Sequence, residues 1–418
     1  MHQEKTTVAE LSIDAIGHRG DGIATTDNGA VYVPFTLPGE RIRAEVSGSR
    51  GTLMEVLEAS ADRVDPVCEH FETCGGCLLQ HMAAGPYLEF KRNIIVSALR
   101  SHGLDAPVET PIAIPHASRR RAVFSAKRPK NGRLAFGFTG RRSHTIVPIK
   151  ACPILVPALA ARLEDLRVLA GIACGSKKTL RLHATVTATG TDVLLVDGKQ
   201  DENTRQRLSE EALRRKFSSV SFPGDVIVEQ IAPSLTIDGT TVNPKPGTFL
   251  QAAAESEAIL GGIAVDALRE AGAKDVADLF CGLGAFAFRI ARFAKVTCVD
   301  SDAEALHCLD HALRFSTGLK PVKLTRRDLY RNPMTAKELN LFDAVLFDPP
   351  RAGAERQAQE LSLSKVKTIV AISCNPLTLA RDLATLAGGG YRIKIIRPVD
   401  QFVFSPHIEC IALCERVT

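Results

Sequence analysis

Cys374 stands in Ser373-Cys374-Asn375-Pro376, directly after an apolar run (368–372) and directly before a stretch of helical periodicity (377–386). A thiol at a strand-to-helix junction meets the free N–H groups of the helix end, which favour its thiolate, and a thiolate can attack an electron-poor carbon. A second junction, Phe280-Cys281-Gly282-Leu283-Gly284, follows the apolar run 275–280 and opens another helix. Its glycines let backbone approach a ligand closely. Asp300 closes the next apolar run, 18 residues beyond Gly282, where a carboxylate can accept hydrogen bonds from ribose hydroxyls. The loop has neither a full Gly-x-Gly-x-x-Gly nor the Gly-Lys-Ser/Thr of a phosphate loop. S-adenosylmethionine, with a ribose and an adenine but no phosphate, fits it better than a dinucleotide. Taken alone, the loop has a simpler alternative: a tight turn with a structural Asp.

Two further motifs fall at predicted strand ends. Asp348-Pro349-Pro350-Arg351 is a stiff turn, poor in N–H donors, able to hold a carboxylate and carbonyls toward a planar base. Similar turns serve methylation of exocyclic amines, so this one does not choose the target atom. Cys374 does discriminate. An amine attacks with its own lone pair, whereas carbon 5 of a pyrimidine becomes nucleophilic only after a thiolate adds to carbon 6. The proton on carbon 5 must then be removed, and Glu409 in His407-Ile408-Glu409 is the candidate base, with His407 either structural or orienting it. The alternative for Cys374 is a small buried residue closing its turn.

Eleven cysteines in a chain without a secretory signal or a bilayer-length apolar run point to a reducing, cytoplasmic setting and to free thiols, metal ligands or catalysts. Cys68, Cys74 and Cys77 cluster, and Cys152 is followed by proline, as the last ligand of ferredoxin-type sites often is. Zinc is the alternative, with His70 or His81 contributing. Cys174, Cys298, Cys308, Cys410 and Cys414 read as core thiols and Cys281 as loop packing.

The net charge of +5 hides a concentration. Residues 118–150 hold ten basic side chains (Arg119, Arg120, Arg121, Lys127, Arg128, Lys130, Arg133, Arg141, Arg142 and Lys150) and no Asp or Glu. Such a window favours a polyanion. It reads as a hairpin turning at Asn131-Gly132, with Phe124, Phe136 and Phe138 interleaved, either available for stacking on bases or packed in the core beneath a solvated charged face.

Three units organise these features. Residues 1–58 read as short strands of a small OB-like β-barrel. Residues 59–245 form a central α+β region with the cysteines and the basic hairpin, of which 86–110 can pack with the last unit. Residues 246–418 alternate strand and helix as a Rossmann-like doubly wound α/β sheet, whose ligands bind beyond the strand ends.

Ser-Cys-Asn-Pro-x-Thr-Leu-Ala-Arg-Asp at 373–382, Asp-Pro-Pro-Arg at 348–351 and His-x-Glu at 407–409 together resemble the RNA uracil-5-methyltransferases, and the resemblance covers nearly the whole chain. It implies a class I S-adenosylmethionine-dependent enzyme with an N-terminal TRAM domain. It implies Cys374 as nucleophile, Glu409 as proton acceptor, and cofactor contacts from Gln251, Phe280, Asp300, Asp328 and Asp348. It favours a [4Fe–4S] cluster on Cys68, Cys74, Cys77 and Cys152. Ala285 departs from the family, which commonly has Asn there, so backbone binding is expected at that point. Members with the cysteine cluster mostly act on large-subunit ribosomal RNA, which makes 23S ribosomal RNA the expected substrate over transfer RNA, for a monomer free of membranes. Two other readings stand beside this one: an RNA-binding protein on a degenerate methyltransferase scaffold, and an exocyclic-amine methyltransferase.

Overall fold

The computed structural model describes residues 6–129, 132–175 and 178–417. Lys130 and Asn131, and with them the expected Asn-Gly turn, lie outside the described residues. Among the described residues no helix is long and apolar enough to cross a membrane.

The N-terminal unit is a six-stranded sheet in the order Thr7–Ser12, Arg41–Ser47, Arg50–Glu58, Gly29–Pro34, Asp21–Thr26, Ala15–Ile16. Leu11, Ala24, Val31, Val33, Ile42 and Ala44, from strands across its width, share one buried cluster, so the sheet curls on itself. Strand Asp21–Thr26 was not foreseen, because Gly20-Asp21-Gly22 reads as a turn. Gly22 is needed there: a Cβ would come within 2.0 Å of Thr36 Oγ1.

A seven-stranded sheet follows, in the order Ile146–Pro148, Ala135–Thr139, Arg121–Lys127, Leu180–Thr187, Gly190–Val196, Ser219–Phe222, Asp225–Glu229. Helices Leu163–Ala173 and Glu202–Arg214 cover it, with Leu166, Leu169, Leu208 and Ala212 in the shared core. The hairpin alternates as a half-buried strand must: Ala122, Phe124 and Ala126 point inward, Val123 and Lys127 outward. Phe124 stacks on Phe136 and Phe138 with centroids 5.2 and 5.0 Å apart. Phe124 and Phe136 are thus core residues, not stacking platforms for bases.

The last sheet has eight strands, in the order Val322–Arg326, Lys295–Asp300, Asp275–Leu279, Ala344–Phe347, Thr368–Ser373, Glu409–Arg416, Tyr391–Asp400, Ile112–Ala113. The first five run parallel; Glu409–Arg416 is antiparallel to both its neighbours. Ala344–Phe347 is buried throughout, as expected for a parallel strand covered on both faces. Helix Ala84–Arg100 buries Ile95, Ala98 and Leu99 in the same cluster as Leu379, Leu383 and Leu386 of helix Pro376–Gly388. This places the C-terminal ends of the parallel strands, with Phe280, Asp300, Asp348 and Cys374, around one hollow.

Candidate active site

That hollow is a cavity of about 780 Å³ lined by Gln251, Phe280, Gly282, Asp300, Asp348, Arg351, Cys374, His407 and Glu409. Cys68, Cys74, Cys77 and Cys152 line the same cavity. Residues from positions 68 to 409 meet here because the cofactor-type loop, the proline turn and the Cys374 turn all follow parallel strands of one sheet.

The loop after Asp275–Leu279 is shaped by its backbone. Phe280 itself adopts φ 62°, while its N–H donates to the Val299 carbonyl at 2.8 Å. A non-glycine in this region is strained and marks a functional constraint. At Gly284 a Cβ would come within 2.7 Å of Leu309. The Gly282 N–H donates to Asp300 Oδ2 at 2.8 Å, and Asp300 Oδ1 accepts from Asp302 N–H at 2.8 Å. Ala285 packs against the apolar core below the loop. Phe280 has an unforeseen neighbour, the ring of Tyr330 at 5.6 Å. The Asp328 carboxylate closes its own turn, accepting from Tyr330 and Arg331 N–H at 3.0 and 3.2 Å. Leu329 and Tyr330 reach the cavity in its place.

A line of side chains crosses the floor. Gln251 Nε2 donates to Asp348 Oδ2 at 3.3 Å; Gln401 Nε2 donates to Gln251 Oε1 at 2.9 Å and to Glu409 Oε2. Burial pushes Asp348 up to about 7. Burial and the Asp348 charge push Glu409 well above the ordinary carboxylate range. Two carboxyls sharing a desolvated site resist ionising together. Asp278, beneath them, is fully buried with neither oxygen hydrogen-bonded among the described residues.

Cys374 is half-buried at the cavity wall. The helix-end effect expected to favour its thiolate does not dominate. Burial, with the charges of Glu409 and Asp348, pushes the thiol up to about 11 against the opposing pull of Arg351. The helix N-terminus is already served by Asn375, whose Oδ1 accepts from Leu377 N–H at 3.2 Å. Asn375 Nδ2 donates to the Arg351 carbonyl at 3.0 Å, locking the two motif turns together. His407 contacts Arg351, whose Nη2 lies 2.8 Å from its Nδ1. Partial desolvation and the cations Arg351, Lys91 and Arg119 push its ring down to about 4, so it is neutral.

The four clustered cysteines are all free and half-buried. Burial and one another's proximity push Cys77 up to about 12 and Cys152 up to about 11. Thiols so placed ionise only with a cationic partner. Arg119 lies half-buried beside Cys152 and Cys77, a cation suited to balance a net-negative thiolate centre. Among the described residues no three His, Cys, Asp or Glu converge as a ready single-ion site. His81 is fully buried among Phe35 and Phe71, with neither ring nitrogen hydrogen-bonded among the described residues. His70 lines the cavity. The other cysteines, at 174, 281, 298, 308, 410 and 414, are buried.

The basic window is less free than it reads. Arg120 pairs with Glu257 at 2.7 Å, and Arg141 and Arg142 both pair with the buried Asp21, the latter at 2.9 Å. Arg121 lies over the exposed ring of Phe249 at 4.7 Å, on the cavity rim. Lys127, Arg128, Arg133 and Lys150 remain on the surface. The neutralising acids come from positions 21 and 257, far outside the window, which local composition does not reveal.

A Rossmann-type sheet with motif turns at its strand ends, joined to an N-terminal six-stranded sheet, is an architecture that can carry methyl transfer. The chain belongs to the RNA uracil-5-methyltransferases, transferases that draw their methyl group from S-adenosylmethionine. Residues 321–417 match the family described as tRNA (Uracil-5-)-methyltransferase. An uncharacterised RNA methyltransferase of Brucella suis is 46% identical over 97% of this chain and 98% of its own. The 23S rRNA (uracil(1939)-C(5))-methyltransferase RlmD of Chromohalobacter salexigens is 32% identical over 100% of this chain and 91% of its own. The fold is also that of the Pyrococcus abyssi tRNA (uracil-54, C5)-methyltransferase, solved with S-adenosyl-L-homocysteine, at TM-score 0.71 and 24% identity over 97% of this chain and 100% of the other.

Proposed function

We propose that this enzyme methylates carbon 5 of a uridine in 23S ribosomal RNA through a covalent adduct on Cys374. What carries the reading is the meeting of Cys374 and Glu409 in one cavity with Gln251, Phe280, Asp300 and Asp348. Cys374 Sγ bonds to carbon 6 of the flipped uracil, and the electron pair displaced from the 5,6 double bond makes carbon 5 nucleophilic. S-adenosylmethionine supplies an electrophilic methyl group to carbon 5. Glu409 then accepts the proton from carbon 5, and the S–C6 bond breaks as the 5,6 double bond re-forms. Asp300 would hold ribose hydroxyls and Phe280 with Tyr330 would flank an aromatic ring; Gln251 and Asp348 would form the wall between donor and uracil. Asp328 contributes through the turn it closes. Raised carboxyls suit a cationic sulfonium, whose charge favours their ionised forms.

Cys68, Cys74, Cys77 and Cys152 are the residues that would hold a [4Fe–4S] cluster, with zinc the alternative. Their half-buried thiols and the adjacent Arg119 suit a group that supplies cations to four thiolates and closes that end of the cavity. The sheet of 1–58 and the surface cations of 59–245 would grip RNA, while 246–418 performs the transfer. Such a substrate sets the work in the cytoplasm, and one chain carries every group used, so a monomer suffices. The ribosomal preference is supported by the RlmD relative.

The test is methyl transfer from labelled S-adenosylmethionine into 23S rRNA from a strain lacking this gene, with 5-methyluridine mapped to one position. Label appearing on an exocyclic amine, or none in any RNA, overturns the reading.

A further inference from the structure

Lys91 belongs to helix Ala84–Arg100, far in sequence from the catalytic turns, and its side chain is fully buried. An ammonium has three donors and no acceptor. Here it has three acceptors: Asp400 Oδ1, the Phe402 carbonyl at 3.2 Å and the His407 carbonyl. Asp400 ends one strand, and His407 lies two residues before Glu409, which begins the next. These strands pair antiparallel, with Val399 opposite Glu409. One nitrogen therefore ties both arms of the connecting loop and its interior. Tyr87, on the same helix, adds to the clamp: its hydroxyl donates to Asp400 Oδ2 at 2.6 Å and accepts from Phe404 N–H at 2.8 Å. The loop so held presents Phe402, Ser405 and His407 to the cavity and Gln401 to the Glu409 carboxylate.

A buried ion pair is poor value for stability alone, since apolar side chains of similar volume commonly do as well. Its use here is geometric. We propose that Lys91 is a positioning residue for proton abstraction: it fixes the loop of residues 400–408 so that Glu409, held by Gln401, faces the hydrogen on carbon 5. The inference rests on the covalent reading above, with Glu409 as base.

The experiment separates the two halves of the reaction. Adduct formation is read with 5-fluorouridine RNA, which Cys374 can attack but from which Glu409 has no proton to remove. Proton abstraction is read as tritium release from RNA carrying 5-tritiated uridine. Lys91→Met leaves Asp400 buried without its partner, so Lys91→Met/Asp400→Asn is made as well to recover the fold, checked by thermal melting. The double variant is expected to melt within a few degrees of wild type, to bind RNA and to form the fluorouridine adduct at close to the wild-type rate. Its tritium release is expected to fall about tenfold to a hundredfold. Wild-type tritium release in the double variant, or an equal fall in adduct formation and tritium release, overturns the inference alone. Wild-type protein that forms no fluorouridine adduct overturns the covalent reading, and the inference with it.

Discussion

Asp348 and Glu409 stand at opposite ends of a two-glutamine bridge, and the Asp348 charge opposes ionisation of Glu409. Asp348 receives Gln251, Glu409 receives Gln401, and the two amides meet at 2.9 Å. The Asp348 charge raises Glu409, and Asp348 is itself raised to about 7. In the proposed mechanism Asp348 would serve the methyl donor and Glu409 the proton to be removed.

This has a signed consequence for donor binding. Below about 7 the Asp348 carboxyl is neutral; a bound sulfonium cation favours the carboxylate. S-adenosylmethionine affinity is expected to strengthen as pH rises toward about 7, by up to about tenfold per unit with proton release on binding, and to level off above it. Titration calorimetry at pH 6 and 8 in buffers of different ionisation enthalpy checks it, and Asp348→Asn should flatten the dependence. For the ligand-free protein the sign is reversed. The folded carboxyl holds its proton more tightly than the unfolded chain does, so its contribution to stability is full below the ordinary carboxylate range and lost as pH rises to about 7.

Cys374→Ala is expected to reduce methyl transfer to background while leaving RNA binding within about twofold, since a half-buried thiol contributes little to a polyelectrolyte interface. Filter binding alongside label incorporation checks it. Transfer persisting in this variant would turn the assignment toward amine methylation.

Glu409→Gln keeps the shape of a fully buried side chain and removes the base. Turnover is expected to fall about 10²–10⁴-fold. Methylated RNA should remain bonded to the protein as a heat-resistant band on a denaturing gel. Absence of that band, with turnover lost, would remove Glu409 from the role of base.

Serine at any one of Cys68, Cys74, Cys77 or Cys152 is expected to abolish iron content and visible absorbance in protein purified without oxygen. Chelation should do the same in wild type. Zinc recovered in place of iron, by elemental analysis, would select the alternative metal.

Arg120 and Glu257 form an ion pair with side chains 11% and 8% exposed, and Arg120 also donates to the Gln251 carbonyl at 3.1 Å. Removing one partner strands the other. Arg120→Met is expected to cost roughly 3 kcal/mol of stability, measured by urea unfolding. It should also weaken S-adenosylmethionine binding through displacement of Gln251.

The catalytic sheet was legible because its strands are continuous apolar runs ending in chemistry. The apolar runs of the sequence put Phe280, Asp300, Asp348 and Cys374 at strand ends, and the structure has them there. Short elements were not legible. Ile112–Ala113 joins the sheet edge with two residues, too few to show a period. Asp21–Thr26 is masked by its glycine and threonines. At the cavity, the sequence points to residues with motif spacing, which line it together, and not to residues held by distant contacts. Gln401 and Lys91 carry no local signal, because what defines them is what they touch 150 and 309 positions away. The ionisation state of Cys374 departs from the sequence expectation for a related reason: the helix end is visible in sequence, but the charges of Glu409 and Asp348 near the sulfur are not.

The buried Asp21 gathers Arg50, Arg141 and Arg142 around a single carboxylate. The amino-terminal sheet is therefore bolted to the hairpin beside the catalytic hollow, not hung from it on a tether. If that sheet grips RNA as proposed, the substrate would present its uridine at a set offset from the point of grip. Under the proposed function the fixed offset would act as a calliper on the substrate, and Asp21→Ala is expected to spread methylation to neighbouring uridines, checked by mapping 5-methyluridine along the labelled RNA.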